Sequence, residues 1–306
     1  MSTGRGSAVG YAETLVAACF WGSSGIFAVS LFRLGVPPAT VALLRPLIGV
    51  AILAAVVALA RPEALRVGRS ALLLVGVGGG IAVGVFQIAY QLSIDAAGVP
   101  TTVALLYLAP AIVAVVSGPL LGEWPGPRRI ALVALTIVGV WLTVLGADEV
   151  TPAFGTRGLA WGFLAALAYA TYTLFGRFAT PRFGSMATAV YSTAGACVFL
   201  ALALPATASP LTRPAGADAW LLLVVFSLLT IAGAQLLFFD ALGRIDAGGA
   251  SVAASLEPVI AALLATILLD QGLSGVGWLG IALVVAGVAG VGLTAAPETR
   301  SRRRAA

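Results

Sequence analysis

Long apolar stretches follow one another along this chain, separated by short breaks that carry proline, glycine and charged residues. A helix needs about 20 apolar residues to cross the ~30 Å hydrocarbon core of a bilayer. The pattern therefore predicts an all-α integral membrane protein with ten transmembrane helices, called spans 1 to 10 in chain order. They cover residues 11–31, 38–59, 70–93, 99–121, 128–146, 158–178, 185–206, 218–241, 248–269 and 275–294.

The second half of the chain repeats the first at an offset of 148 residues, without a gap. Because each half holds an odd number of spans, the second half enters the membrane from the opposite side. This is the inverted repeat typical of secondary transporters, in which the binding site lies near the midplane between the repeats. We divide the chain into repeats 1–150 and 151–306, which together form one membrane domain. Aligned pairs include Trp21 with Tyr169, Gln87 with Gln235 and Pro110 with Pro258.

Composition supports a membrane protein: 60% of the residues are hydrophobic and only 9% are charged, against roughly 25% in soluble domains. All basic residues are Arg, and they fall between the apolar runs rather than in one patch, so we expect no nucleic-acid partner. With both termini in the cytoplasm, 13 Arg lie inside and 3 outside, as the positive-inside rule requires. The absence of His excludes a histidine metal site or proton relay. Cys19 and Cys197 lie in apolar runs, and we interpret them as small core residues rather than a disulfide or metal pair.

Glu257 and Pro258 occupy the middle of span 9. A carboxylate at that depth costs on the order of 2.5–3.5 kcal/mol, so it faces a bundle interior or a wet cavity. Glu257 could hold a substrate ammonium or a coupling proton. Alternatively, it could have a structural role, through a hydrogen bond to a carbonyl or hydroxyl group that is left free near Pro258. Pro258 and its counterpart Pro110 weaken their helices and are the predicted hinges.

Polar and aromatic side chains at mid-depth are the other candidates for a substrate site, because a buried amide or hydroxyl needs a partner. An aromatic pocket with a few polar groups suits an amphipathic ligand, although plain helix packing explains any single ring equally well. Tyr172 and Phe238 are further aromatic candidates. The predicted substrate-binding residues are Trp21, Gln87, Tyr90, Tyr107, Tyr169, Gln235, Ser255 and Glu257.

Two more features are assigned to structure rather than to substrate binding. Arg45, about two turns into span 2, is expected to snorkel to the interface or to pair with an acidic residue, with contact to a substrate carboxylate as the alternative. Gly76, Gly80 and Gly84 form a face of small residues that permits close helix approach. Their spacing matches no phosphate-binding loop.

The ten spans in two sets of five, together with particular motifs, resemble the drug/metabolite transporter superfamily and its EamA-type metabolite exporters. The motifs are Trp21-Gly22, Arg45, Leu256-Glu257-Pro258 and the Gly-Val ends of spans 5 and 10. The resemblance implies a ten-helix basket with a central cavity that exports small metabolites, and it extends to the bacterial aromatic amino-acid exporters. One departure is Asp270-Gln271, where family members often carry Gly-Glu as at Gly122-Glu123.

These observations predict a secondary transporter in a bacterial inner membrane, working by alternating access on a small molecule such as an aromatic or other hydrophobic amino acid. Efflux of cationic drugs, with Glu257 as the counter-charge, remains an alternative, and a membrane-embedded enzyme is a weaker one. No catalytic constellation, cofactor motif or metal-spaced cluster is present in the sequence. We therefore expect no enzyme activity, no cofactor and no metal. The oligomeric state is open, and a monomer suffices for this mechanism.

Overall fold

The structure, a computed structural model, describes residues 2–146, 155–206, 209–269 and 273–294, and nearly all of them are helical. Asp270-Gln271 and the basic tail lie outside these residues. In the described ranges, nine helices are long and apolar enough to cross a membrane, and Gly275–Val291 is a shorter apolar helix that completes the predicted ten. The helical segments, span by span, are Ser2–Gly22 and Ser24–Arg33; Pro38–Ala60; Arg69–Leu73, Leu74–Gly79 and Gly80–Leu106, which continues into span 4; Ala109–Leu121; Pro127–Leu145; Thr156–Phe183; Ser185–Ala203; Ala217–Ser227, Leu228–Gly233 and Ala234–Arg244; Ala247–Ala254 and Glu257–Leu269; and Gly275–Thr294.

Several spans are interrupted near their middle. Spans 4 and 9 both break, at residues 107–108 and 255–256, and these two breaks are related by the same 148-residue offset. Pro110 and Pro258 each lie second in the helix that follows, where a missing N–H costs no intrahelical hydrogen bond. Span 1 breaks at Ser23, while spans 3 and 8 each contain a six-residue π-helical segment. Such irregular turns often mark functional sites.

The two halves are interleaved rather than set side by side. Span 3 packs along span 6, and its repeat counterpart, span 8, packs along span 1. Spans 2 and 7, 4 and 9, and 5 and 10 pack against their own counterparts in the other half. This pairing is what a pseudo-two-fold axis in the membrane plane produces, and it gives the fold predicted from the sequence: two inverted five-helix repeats.

Glycine allows the closest of these approaches. A Cβ at Gly80 would lie 2.7 Å from the backbone of Gly195, and one at Gly84 would lie 2.5 Å from the ring of Phe199. Both neighbours belong to span 7, so the small-residue face of span 3 packs against a helix as predicted. Gly195 itself faces the backbone carbonyl of Gly76 and leaves no room for a side chain.

We expect Gly195→Ala to destabilise the protein by about 1–3 kcal/mol, because its methyl group must push two helix backbones apart. Thermal unfolding in detergent measures the effect. Gly68→Ala is the matched control, since a Cβ at Gly68 meets no atom within 4 Å. Equal melting temperatures for the two variants would contradict this close contact.

Candidate functional site

A small cavity lies between the two halves, near the middle of the spans that line it. Spans 1, 2 and 3 of the first half and spans 6, 8 and 9 of the second half contribute its walls. Every lining residue except Phe86 is buried, so the structure represents a nearly occluded state. The lining residues are Trp21, Ser24, Arg45, Val83, Phe86, Gln87, Tyr90, Tyr169, Tyr172, Thr230, Ile231, Gln235 and Glu257.

Helix irregularities bring these side chains to the cavity. Trp21 and Ser24 flank the break in span 1 at Ser23, whose hydroxyl donates to the Phe20 carbonyl at 2.6 Å. The π-helical segment of span 8 carries Thr230 and exposes its carbonyl, which accepts the Trp21 indole N–H at 3.0 Å. This bond locks the indole of the first half to the backbone of the second half.

Aromatic rings form one wall of the cavity. Tyr172 stacks on Phe238 with ring centroids 5.7 Å apart, and Tyr169 lies 5.9 Å from Tyr172. Trp21 packs edge-on against Phe238 at 5.1 Å. The Tyr169 and Tyr172 hydroxyls have no hydrogen-bond partner among the described residues. The wall therefore offers apolar ring faces to an aromatic or aliphatic group in the cavity, and free hydroxyl groups to a polar group beside it.

Glu257 begins the helix that follows the break in span 9, and its side chain lines the cavity. The Tyr107 hydroxyl lies 2.8 Å from Glu257 Oε2 and 3.1 Å from the Ala254 carbonyl. Tyr107 itself sits at the break in span 4. This tyrosine thus joins the two broken helices, one from each half, at the point where the buried carboxylate enters the cavity.

Arg45 does not snorkel, contrary to the sequence-based expectation. Only 3% of the residue is exposed, and its side chain points inward to line the cavity. Its guanidinium carbon lies 4.4 Å from the centre of the Phe226 ring, a cation–π contact. None of the ion pairs found among the described residues includes Arg45, so the expected pairing with an acidic residue is also wrong.

The two glutamines of the repeat both reach the cavity but differ in their contacts. Gln235 Nε2 lies 2.6 Å from the Thr193 hydroxyl, while Gln87 Oε1 has no partner in the described part of the chain. Thr193 is the counterpart of Arg45 at the 148-residue offset. The polar environment of the cavity is therefore asymmetric even where the repeat aligns.

Six of the eight predicted binding residues line the cavity, namely Trp21, Gln87, Tyr90, Tyr169, Gln235 and Glu257. Tyr107 lies behind Glu257 and reaches the cavity only through its hydrogen bond. Ser255 is absent from the lining, because its hydroxyl donates to the Ser251 carbonyl of its own helix at 3.2 Å. Its place in the site rests on the repeat alignment alone.

Some lining residues were not selected from the sequence, although the repeat contains a signal for them. Ser24 is the counterpart of the aromatic candidate Tyr172 at the 148-residue offset, one turn beyond the predicted pair Trp21 and Tyr169. Val83 and Ile231 are related by the same offset, one turn before Gln87 and Gln235. Applying the offset one turn in each direction from the predicted residues would have found Ser24, Val83 and Ile231.

Ion pairs connect the halves on only one side of the molecule. All four ion pairs among the described residues lie on the N-terminal face, the side where span 1 begins. Three of them join residues of different halves. We call these three the inter-half ion pairs: Arg129 with Asp246 at 2.7 Å, Arg177 with Glu123 at 2.6 Å, and Arg244 with Glu13 at 3.2 Å.

Neutral hydrogen bonds join the halves on the opposite face. The Thr212 amide donates to the Thr40 hydroxyl at 2.9 Å, and the Ala39 amide donates to the Ser209 hydroxyl at 3.1 Å. The Ser274 hydroxyl donates to the Gly146 carbonyl at 2.8 Å. The two faces are therefore closed by different chemistry.

Comparisons with known proteins agree with this architecture. The EamA-like transporter family matches the chain twice, over residues 8–145 and 156–293. An uncharacterised inner membrane transporter, YicL of Salmonella typhimurium, is 24% identical over 97% of this chain and 98% of its own length. A protein of known crystal structure superposes with a TM-score of 0.79 at 21% identity, over the full length of both chains. At that identity the superposition supports the fold alone. The chain belongs to the EamA-like transporter family and is a transporter rather than an enzyme.

Proposed function

We propose that this protein is a secondary transporter that exports amino acids with aromatic or other hydrophobic side chains. The observation that carries the proposal is the cavity between the halves, which combines an aromatic wall with one buried cation and one buried anion. An amino acid has the same combination, an apolar side chain beside a carboxylate and an ammonium group. Arg45 and Glu257 together leave the site without net charge, and a zwitterion keeps it so.

Transport proceeds by alternating access, with the two halves moving around the cavity. The breaks in spans 4 and 9 are the proposed hinges, since the first turn after each break contains Pro110 or Pro258. Opening the N-terminal face requires the inter-half ion pairs to separate. Opening the other face requires the separation of neutral hydrogen bonds such as that between Thr40 and Thr212.

The proposed location is a bacterial inner membrane, with both chain termini in the cytoplasm. The arginine distribution supports this orientation, and the printed name of the YicL relative describes an inner membrane transporter. In this orientation the inter-half ion pairs close the cytoplasmic side. Export then begins with binding from the face that these ion pairs guard.

Efflux of organic cations is the second candidate, because Glu257 supplies a buried counter-charge in the cavity. Arg45 weighs against it. A cation bound beside Glu257 leaves a second positive charge in the same enclosed space, and like charges in a poorly screened interior repel strongly. The zwitterion is therefore preferred to the cation.

The export function is tested in bacterial cells that are fed a phenylalanine-containing dipeptide and hydrolyse it internally. Cells producing the protein are expected to release labelled phenylalanine several times faster than cells carrying an empty vector. Cells producing Gly68→Ala at equal membrane abundance are the matched control and are expected to release phenylalanine at the wild-type rate, since a Cβ at Gly68 meets no atom within 4 Å. Equal release from producing and empty-vector cells, together with accelerated release of an organic cation, would contradict the proposal and favour drug efflux.

A further inference from the structure

Arg45 is the strongest unexplained feature of the cavity. Only 3% of the residue is exposed, and its Nε and Nη1 atoms have no hydrogen-bond partner in the described part of the chain. No described carboxylate lies within 4 Å of its guanidinium to form an ion pair, and its neighbour Phe226 offers only a ring face. A guanidinium stays protonated in proteins, so this is a buried charge with no described carboxylate at ion-pair distance, although Glu257 lines the same cavity.

A charge in that position is costly unless something compensates it. Buried charges in proteins are normally paired and hydrogen-bonded, because removing an ion from water costs far more than a single contact returns. Glu257 lines the same cavity but accepts its hydrogen bond from Tyr107 instead. A ligand in the cavity can supply the acceptor that Arg45 lacks.

The donors around the cavity indicate which ligand group fits. A guanidinium carries five N–H donors and no acceptor, and its planar geometry matches the two oxygens of a carboxylate. The free hydroxyls of Tyr169 and Tyr172 line the same cavity and can donate to an oxygen as well. The single guanidinium balances the one negative charge of a carboxylate but not the two of a dianionic phosphate, and Glu257 is then free to pair with a cationic group of the ligand such as an ammonium.

We propose that Arg45 binds the carboxylate of the transported molecule, so that a carboxylate is required for recognition in this cavity. The proposal rests on the proposed transport through this cavity, and it excludes substrates that lack a carboxylate. The cation–π contact with Phe226 restrains the guanidinium plane, so less side-chain entropy is lost when the carboxylate binds. Amines and amides of the same shape lack the group that Arg45 needs.

Matched acid and amide pairs test the proposal on the purified full-length protein. The ligands are phenylalanine with phenylalaninamide, and 3-phenylpropionate with 3-phenylpropionamide. Each is titrated while the melting temperature is recorded, because a ligand that binds the folded state stabilises it. We expect the acids to raise the melting temperature and the amides to leave it unchanged.

Variants of Arg45 then assign the effect to this residue. In Arg45→Gln the half-saturating acid concentration is expected to rise by about tenfold or more, since a charge-assisted hydrogen bond is lost. Arg45→Lys keeps the charge without the forked donors and is expected to fall between. Arg33→Gln is the matched control, because Arg33 is exposed at the end of span 1. If Arg45→Gln does not fold, Arg45→Lys and the comparison of acid with amide ligands on the wild-type protein still decide the test.

The outcomes separate this proposal from the proposed function. Stabilisation by 3-phenylpropionate without stabilisation by phenylalanine would support Arg45 as the carboxylate site and refute amino-acid export. Equal stabilisation by phenylalanine and phenylalaninamide would leave amino-acid export standing and overturn the role of Arg45. The absence of any acid-dependent shift, or a shift that survives unchanged in Arg45→Gln, would also overturn it.

Discussion

Replacing Glu257 with glutamine is expected to lower the rate of transport by about tenfold or more, while the protein still folds in the membrane. Glutamine keeps the shape of the side chain, and its carbonyl oxygen can still accept the Tyr107 hydrogen bond that the structure gives to Glu257 Oε2. Only the negative charge is lost. Arg45 then faces the cavity without a counter-charge, and a zwitterionic substrate loses the anion that balances its ammonium.

The rate is measured by exchange of labelled phenylalanine in proteoliposomes, with and without an imposed pH gradient. Tyr107→Phe is the companion variant, since it removes the hydroxyl and keeps the charge, and we expect it to slow exchange less than Glu257→Gln does. An unchanged melting temperature without ligand establishes folding. Wild-type exchange by Glu257→Gln under both conditions would remove this carboxylate from the mechanism.

Removing two of the inter-half ion pairs is expected to open the N-terminal face. The double variant Arg129→Gln, Arg177→Gln loses the contacts to Asp246 and Glu123. All four side chains are only partly exposed, and each pair is expected to contribute about 1 kcal/mol. The ratio of open to closed molecules should therefore rise by roughly tenfold or more. Asp246 keeps its bond to the Gly249 amide, so the cap of span 9 is preserved.

Cysteine labelling detects this opening. Ser251 is fully buried in span 9, between the cavity and the N-terminal face. In a background without Cys19 and Cys197, Ser251→Cys should react with an impermeant maleimide about tenfold faster in the double variant. Arg66→Gln, Arg128→Gln removes two exposed arginines from the same face and controls for the change in net charge. A labelling rate equal to that of this control would show that the ion pairs do not hold the face closed.

Much of the fold follows from the sequence, because hydrophobic length and the 148-residue repeat constrain the topology strongly. The repeat also located much of the site: the pairs Trp21 with Tyr169 and Gln87 with Gln235 line one cavity. Pro110 and Pro258 correctly marked where spans 4 and 9 are interrupted. Their action as hinges stays a prediction.

Other parts of the site could not be predicted from the sequence, for a physical reason. In an apolar span, hydropathy does not distinguish the face toward lipid from the face toward the bundle, so Arg45 was expected to snorkel or to pair with an acidic residue rather than to line the cavity. Cys19 is exposed rather than part of the core for the same reason, while Cys197 is buried. Ser255 aligned with Tyr107, yet its short hydroxyl bonds within its own helix. The local sequence of the π-helical segments contains no signal strong enough to predict them.

The charged residues are where the repeat symmetry fails. Glu257 corresponds to Ala109 and Arg45 corresponds to Thr193, so neither charge has a charged counterpart. The cavity therefore holds a cation from the first half and an anion from the second half. This asymmetry gives the site two chemically different poles within a symmetric frame, as recognition of a molecule with two different ends requires.

Counterflow in proteoliposomes tests the central claim most directly. Vesicles holding wild-type protein and unlabelled phenylalanine are diluted into labelled phenylalanine, labelled leucine or labelled organic cations, each with and without a pH gradient. We expect saturable uptake of both amino acids and none of the cations; uptake that is independent of the gradient would identify facilitated transport. Uptake of the cations with no amino-acid signal, in vesicles preloaded with the matching unlabelled cation, would contradict the account and identify a cation exporter.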